Sequence, residues 1–163
     1  MTATISELNG AGLSGAAADD KYGFDIALNE GGTRLAVGVK DSDVGGGSAG
    51  QVFIYDYAGG AWSLVGSSIN GSAGDGLGGG VALNYSGDIV AVAASYYSTS
   101  RGRVQVYQYN GASWGQLGSD LVGDAALDMI GLGGIDLNAA GDRVVFGASA
   151  SLNRNYVKVY EYG

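Results

Sequence analysis

The chain contains no cysteine, no proline and no histidine. Without cysteine there is no disulfide framework and no thiol chemistry, and the redox compartment is left open, although such a chain suits secretion without oxidative folding. Without histidine, His-based catalytic triads and His-ligated zinc or iron are excluded. Basic residues are scarce, 8 Lys and Arg against 16 Asp and Glu for a formal charge of −8. That field repels phosphate backbones and anionic membrane surfaces, so nucleic acid is not an expected partner. No apolar window approaches the roughly 18 residues that cross a bilayer. The N-terminal MTATISELNG lacks the basic and apolar regions of a signal peptide, so no membrane insertion is expected.

Glycine is abundant, 32 of 163 residues, with no Gly-X-Y period. Neither a collagen-like nor a Pro-rich disordered reading fits, which makes the glycines turn residues. The hydrophobic 46% falls in short runs of Val, Ile, Ala and Tyr between Gly, Asn, Ser and Asp, the composition of many short strands. No linker divides the chain, so 1–163 reads as one repeat domain.

A long period organises it. GFDIALNEGGTRLAVGV (23–39), GGGVALNYSGDIVAVAA (78–94) and GLGGIDLNAAGDRVVFGA (131–148) align through Leu28-Asn29, Leu83-Asn84 and Leu137-Asn138, at spacings of 55 and 54 residues. A second block follows each: GQVFIYDY (50–57), GRVQVYQY (102–109) and NYVKVYEY (155–162), with tyrosines superposing at Tyr55, Tyr107 and Tyr160 and at Tyr57, Tyr109 and Tyr162. A third block opens with Trp62 and again with Trp114, and the third repeat stops before its own copy.

Each unit therefore reads as four strands, and four short strands per repeat of this length predict a β-propeller blade. The second strand is apolar on both faces, as expected of a strand sandwiched between neighbouring sheets, with Ala and Gly permitting close approach. A β-solenoid or a single sandwich is the competing architecture; solenoid coils repeat at a shorter period and a sandwich needs no internal repeat. The expected fold is all-β: three four-stranded propeller blades, a half-propeller. Its divisions are 1–15 as an outer strand, 16–71 as blade 1, 72–123 as blade 2 and 124–163 as the first three strands of blade 3.

Residues 1–15 carry the strand that blade 3 lacks. Gly10 aligns with Gly66 and Gly118, Leu13 with Ile69 and Leu121, and Gly15 with Gly71 and Gly123. Three blades are fewer than the four to eight of known propellers, so this strand is expected to complete a blade by exchange with a neighbouring subunit. The result would be a two-fold dimer with six blades or a head-to-tail filament. Ile5, Leu8 and Leu13 on the donated strand, and Val157, Val159 and Tyr160 on the edge it would cover, are the expected assembly residues.

The segments LNAAGDRVVFGAS (137–149) and GRVQVYQYNGASWGQLGSDLVG (102–123) resemble the FG-GAP-like propeller repeats of integrin α-type heads, and more closely repeats in large surface or secreted proteins of microbes. The resemblance covers nearly the whole chain. It implies a propeller fold and an extracellular or cell-surface adhesive or scaffolding role, but no particular ligand. Some such blades hold Ca2+ in a loop resembling DxDxDG; here only Asp41 and Asp43, before Gly45-Gly46, approach it. The equivalent loops SYYSTSRG and ASASLNRN carry no carboxylate, and calcium prefers six to eight oxygen ligands. No other cofactor is expected.

Catalysis is not expected. Asp19-Asp20, Asp124 and Asp128 lie in equivalent inter-blade loops, with Asp75 their copy in blade 2, and a recurring Asp in a Gly-rich turn reads as turn chemistry rather than an acid/base pair. The GxGxxG-like run from Gly74 to Gly80 precedes no helix pattern. Trp62 and Trp114 recur with the tyrosines, so they read first as cross-strand packing and second as a sugar-stacking set. Tyr96 and Tyr97 do not recur, sit in a Ser-rich loop and adjoin Arg101 and Arg103, which makes them the better ligand candidates. The sequence thus predicts a non-catalytic structural or adhesive module that partners itself, with a glycan or surface protein as a further partner. A carbohydrate-binding lectin of the same fold is the alternative, and a designed or trimmed repeat fragment without activity of its own is a third reading.

Overall fold

The Leu-Asn signature marks where each repeat turns. In the computed structural model, which describes residues 6–7, 12–149 and 155–163, Asn29, Asn84 and Asn138 each close a hairpin through the side-chain carbonyl. Each Oδ1 accepts the backbone N–H five residues on: Arg34 at 2.8 Å, Ile89 at 3.0 Å and Arg143 at 3.0 Å. Each accepts a second N–H from inside the turn: Thr33 at 2.9 Å, Gly87 at 3.0 Å and Gly141 at 3.1 Å. The turn glycines Gly32, Gly87 and Gly141 have φ of 63°, 79° and 79°, a left-handed backbone that glycine adopts without a Cβ penalty.

These hairpins build three antiparallel sheets. The first contains β1 (Tyr22–Leu28), β2 (Arg34–Val39), β3 (Gln51–Ala58) and β4 (Ala61–Leu64) in sequence order, with the short β5 (Ile69–Asn70) also pairing with β3. The second runs β6 (Leu77–Leu83), β7 (Ile89–Ala94), β8 (Arg103–Tyr109) and β9 (Trp114–Val122), and the third β10 (Ile135–Leu137), β11 (Arg143–Ala148) and β12 (Tyr156–Glu161). The fold is all-β as the composition predicts. The fourth strand of the first sheet, expected as one piece from Trp62, is broken in two around Val65 and Gly66, Gly66 having φ of 69°.

One helical turn, Tyr97–Ser100, interrupts the β2–β3-type loop of the second sheet; Ser98 and Thr99 within it are left-handed. No helix among the described residues is long and apolar enough to cross a membrane. Of the expected N-terminal strand, residues 6, 7 and 12–15 lie in no strand, and Ile5 and Leu8 fall outside the described residues.

The middle sheet is apolar on both faces because it is covered on both. Val81, Leu83, Val90, Val92 and Ala94 face the first sheet's Ala36, Val52 and Ile54. Ala82, Ala91, Ala93, Val104 and Val106 face the third sheet's Leu137, Val144, Phe146 and Ala148. All of β6 and β7 is buried. The sheets approach closely where side chains are missing: a Cβ on Gly38 would overlap the Gly78 carbonyl. Hydrogen bonds also cross between sheets, with Arg34 Nη1 donating to Gly87 O at 3.0 Å, Trp114 Nε1 to Val65 O at 3.0 Å and Val81 N to Asp25 Oδ2 at 2.8 Å.

Candidate functional site

The antiparallel order places the loops after β2 and β7 and the connections into β1, β6 and β10 at one end of the sheets, where Asp41, Tyr96 and Tyr97 lie, whereas Trp62 and Trp114 stand at the other end. Lys40 is buried, and its ammonium sits 4.9 Å from the Phe24 ring centre and 4.4 Å from that of Tyr96. Asp41 holds Lys21 at 2.5 Å and Lys40 at 3.6 Å. Hydrogen bonding from Lys21 is the largest influence on the Asp41 carboxyl and keeps it below its ordinary pKa, against the opposing effect of burial.

Beside this group, the Arg103 guanidinium lies 4.3 Å over the Tyr97 ring and bridges Asp75 at 2.9 Å and Asp120 at 3.2 Å. Burial pushes the Asp120 carboxyl up, but hydrogen bonds from Gln116 and Gln105 and the charge of Arg103 together hold it below the usual carboxylate range. Arg101 turns away and donates to Gly123 O at 2.9 Å and 2.6 Å and to Asp124 O at 3.3 Å.

The structure thus assigns internal work to most of the expected ligand residues. Tyr97 packs on the core between the first two sheets, and Arg101 pins the connection into the third. Tyr96 keeps an exposed edge. Trp62 and Trp114 stand opposite Tyr57 and Tyr109 in the strand register, with ring centres 5.1 Å and 5.2 Å apart, the cross-strand packing geometry.

The carboxylates of the Asp41-Ser42-Asp43 segment are separately occupied. Asp41 is neutralised by two ammonium groups, and Asp43 Oδ1 accepts Ser48 N at 2.8 Å. Among the described residues no group of three or more His, Cys, Asp or Glu side chains is placed to hold a metal ion. The recurring inter-sheet aspartates are turn and anchor residues: Asp75 Oδ2 accepts Ser72 N at 3.2 Å, and Asp128 Oδ2 accepts Ala125 N at 2.8 Å and the Tyr156 hydroxyl at 2.9 Å.

The expected assembly residues divide. Val157 and Val159 project from β12 at 70% and 63% exposure. Tyr160 points the opposite way, stacked on Phe146 at 5.6 Å within the packing between the second and third sheets, because successive strand residues alternate faces. Leu13 is half-buried and outside any strand.

Two features escaped the sequence reading. On the first sheet, Ile26 and Leu28 are 62% and 57% exposed. They lie beside Tyr22, Phe53 and Tyr55, whose rings pack in a row, with a 2.9 Å hydrogen bond from the Tyr22 hydroxyl to that of Tyr55. At the opposite end from Tyr96, exposed Tyr85 and the acidic Glu30 and Asp136 line a cavity of about 250 Å³ with Leu28 and Leu137. The available signal for Tyr85 was its failure to recur: Glu30 and Ala139 occupy its place in the other repeats.

No protein-family model matches the chain, and no curated protein matches it in sequence. Among solved structures it is similar to TolB from Acinetobacter baumannii, a β-propeller, with a TM-score of 0.52 and 12% identity over 85% of this chain. The chain spans 29% of that structure's length. At this identity the likeness concerns the fold alone.

Proposed function

We propose that this chain is a non-catalytic structural or adhesive β-propeller module of FG-GAP-like type, acting outside the cell or at its surface. Its three sheets serve as blades, and copies assemble by β-strand exchange. One observation carries the reading: the charged and aromatic side chains at the loop end are engaged with one another, while the first and third sheets present exposed apolar faces through Ile26, Leu28, Val157 and Val159. Contiguous exposed apolar surface marks protein–protein contact.

The position of β12 at the end of its sheet supports exchange, since an uncovered edge strand is a template for pairing. In this reading residues 1–15 of one copy lie along β12 of the next, as a six-bladed dimer or a head-to-tail filament. The test is the solution mass, by light scattering after size exclusion, of the full chain and of one lacking residues 1–13. An assembly lost on truncation is expected; a 16.3 kDa monomer indifferent to truncation overturns the reading.

The lectin alternative draws on Tyr85, an exposed ring beside Glu30 and Asp136 at a cavity of sugar-ring size. Glycan-array binding lost in Tyr85→Ala, with the fold intact, would favour it over the scaffold.

A further inference from the structure

We infer that the open face of the third sheet is a docking surface for the open face of the first sheet of a second copy, so that two copies close on each other through two identical joints. This rests on the self-assembly reading but concerns sheet stacking, which is separable from strand exchange.

The two joints inside the chain show what each open face is built to meet. In both, one sheet presents a face of small and β-branched residues, and the next covers it with larger ones. The second sheet presents Ala82, Ala91, Ala93, Val104 and Val106 to the third. At the repeat spacing, the third sheet carries Asp136, Val145, Gly147, Val157 and Val159 on its uncovered face, and the first four of these border a groove of about 310 Å³ with Gly133 and Gly134. The covering face of the second sheet is Val81, Leu83, Val90, Val92 and Tyr107. Its counterparts on the first sheet are Ile26, Leu28, Leu35, Val37 and Tyr55, which share one face in the strand register; Ile26 and Leu28 are the exposed members, Leu35 and Tyr55 are half-buried and Val37 is buried beneath them. Each open face therefore has the shape and chemistry of one side of a joint the chain already makes.

Two details sharpen the match. A Cβ at Gly80 would come within 3.0 Å of Ile135 Cγ2, so Gly80 makes room for that side chain; Gly134 stands at the repeat position of Gly80, and Ile26 at that of Ile135. Arg34 is held by Asp56 and donates across the first joint to Gly87 O. Arg143, its repeat counterpart, is paired with Glu161 through one hydrogen bond at 2.8 Å and is placed to donate to Gly32 O of the second copy. The second sheet has Ile89 at this position, so only the first and third repeats carry this arginine. The match is poorest at Asp136, where both internal joints have alanine, Ala27 and Ala82.

The test uses two double variants at exposed positions, Val157→Asp with Val159→Asp and Ile26→Asp with Leu28→Asp, each checked for an unchanged circular dichroism spectrum. The wild type is expected at twice 16.3 kDa, and each variant alone at 16.3 kDa. Their mixture is expected to recover a dimer, because one variant keeps a working first sheet and the other a working third. Asp136→Ala is expected to tighten the wild-type dimer at least severalfold on dilution. A monomeric wild type overturns the inference, as does a dimer in either variant alone, which would mean that a face pairs with its own copy or that these faces are not used. Loss of assembly on deletion of residues 1–13 with both face variants still dimeric would leave strand exchange standing and remove face pairing.

Discussion

Replacing Asn84 by alanine removes the turn acceptor at its most buried occurrence. The side chain is 4% exposed; its Oδ1 accepts Gly87 N and Ile89 N, and its Nδ2 donates to Asp88 at 2.8 Å. Gly87 N retains a partner in the Asn84 carbonyl at 3.1 Å, so the main loss is a stranded Ile89 N–H. An orphaned buried donor costs about 1–3 kcal/mol and each lost hydrogen bond about 1 kcal/mol, which together predict a destabilisation of about 2–4 kcal/mol. With an m-value of about 2 kcal/mol/M, the middle of the usual range, the urea midpoint should fall by about 1–2 M at unchanged m. Asn138→Ala removes the same bonds from a half-buried site and should cost about 1 kcal/mol. Asn29→Ala should lie between, since Asn29 is also buried and reaches Ser86 O across the joint at 3.4 Å. A midpoint for Asn84→Ala indistinguishable from wild type, or the reverse ranking, would refute the role given to this residue.

Gly38→Val should cost about 1–3 kcal/mol or abolish folding by overlap with the Gly78 carbonyl, whereas Gly47→Ala, with nothing near its Cβ, should stay within about 0.5 kcal/mol in the same titration. Burial raises the pKa of Tyr22, Tyr107, Tyr156 and Tyr162. Their contribution to stability is complete below the unfolded value of about 10 and is lost as pH rises toward the folded values. Absorbance at 295 nm should therefore show part of the eleven tyrosines ionising late and together with loss of sheet structure; uniform titration near 10 with the sheets intact would contradict this. Hydrogen bonds from Ser86, then Asn84, hold the Asp88 carboxyl low, so its contribution is present above about pH 4 and lost on acidification. In acid titrations followed by circular dichroism, Asp88→Asn should show a shallower loss of stability than wild type.

The fold was legible because its code repeats. Leu28-Asn29, Leu83-Asn84 and Leu137-Asn138 perform one structural act three times, and the superposed tyrosines landed at one place in each sheet. The packing role of Trp62 and Trp114 followed from the same periodicity. What does not repeat was harder to place. Tyr96, Tyr97 and Arg101 looked free for a ligand because the blade plan does not require them. Arg103 adjoins them in sequence, but Lys40 and the Gly123 carbonyl come from other loops, which meet only when neighbouring strands and sheets pack. Tyr160 is expected on the assembly edge with Val157 and Val159, but its place on the strand does not say which way its ring faces; facing is decided by register, and one residue in either direction reverses it. The exposure of Ile26 and Leu28 was invisible for the opposite reason: the repeat is apolar there in every copy, and only the stacking order leaves the first sheet uncovered.

That uncovered surface also bears on how copies would meet. Ile26 and Leu28 on one face and Val157 and Val159 on the other are about 60–70% exposed; covering an aliphatic side chain fully is worth about 1.5–3 kcal/mol, so one joint gains about 4–8 kcal/mol from these four. Association costs about 4–15 kcal/mol in lost translational and rotational freedom, which leaves a single joint marginal. A closed pair forms two joints for one association step, whereas each added link of an open chain forms one. The energetics therefore favour closure, and they predict that the single-joint dimer recovered by mixing the two face variants dissociates at far higher concentration than the wild-type pair. Equal dilution midpoints for the two species, read by light scattering, would mean that the second joint does not form.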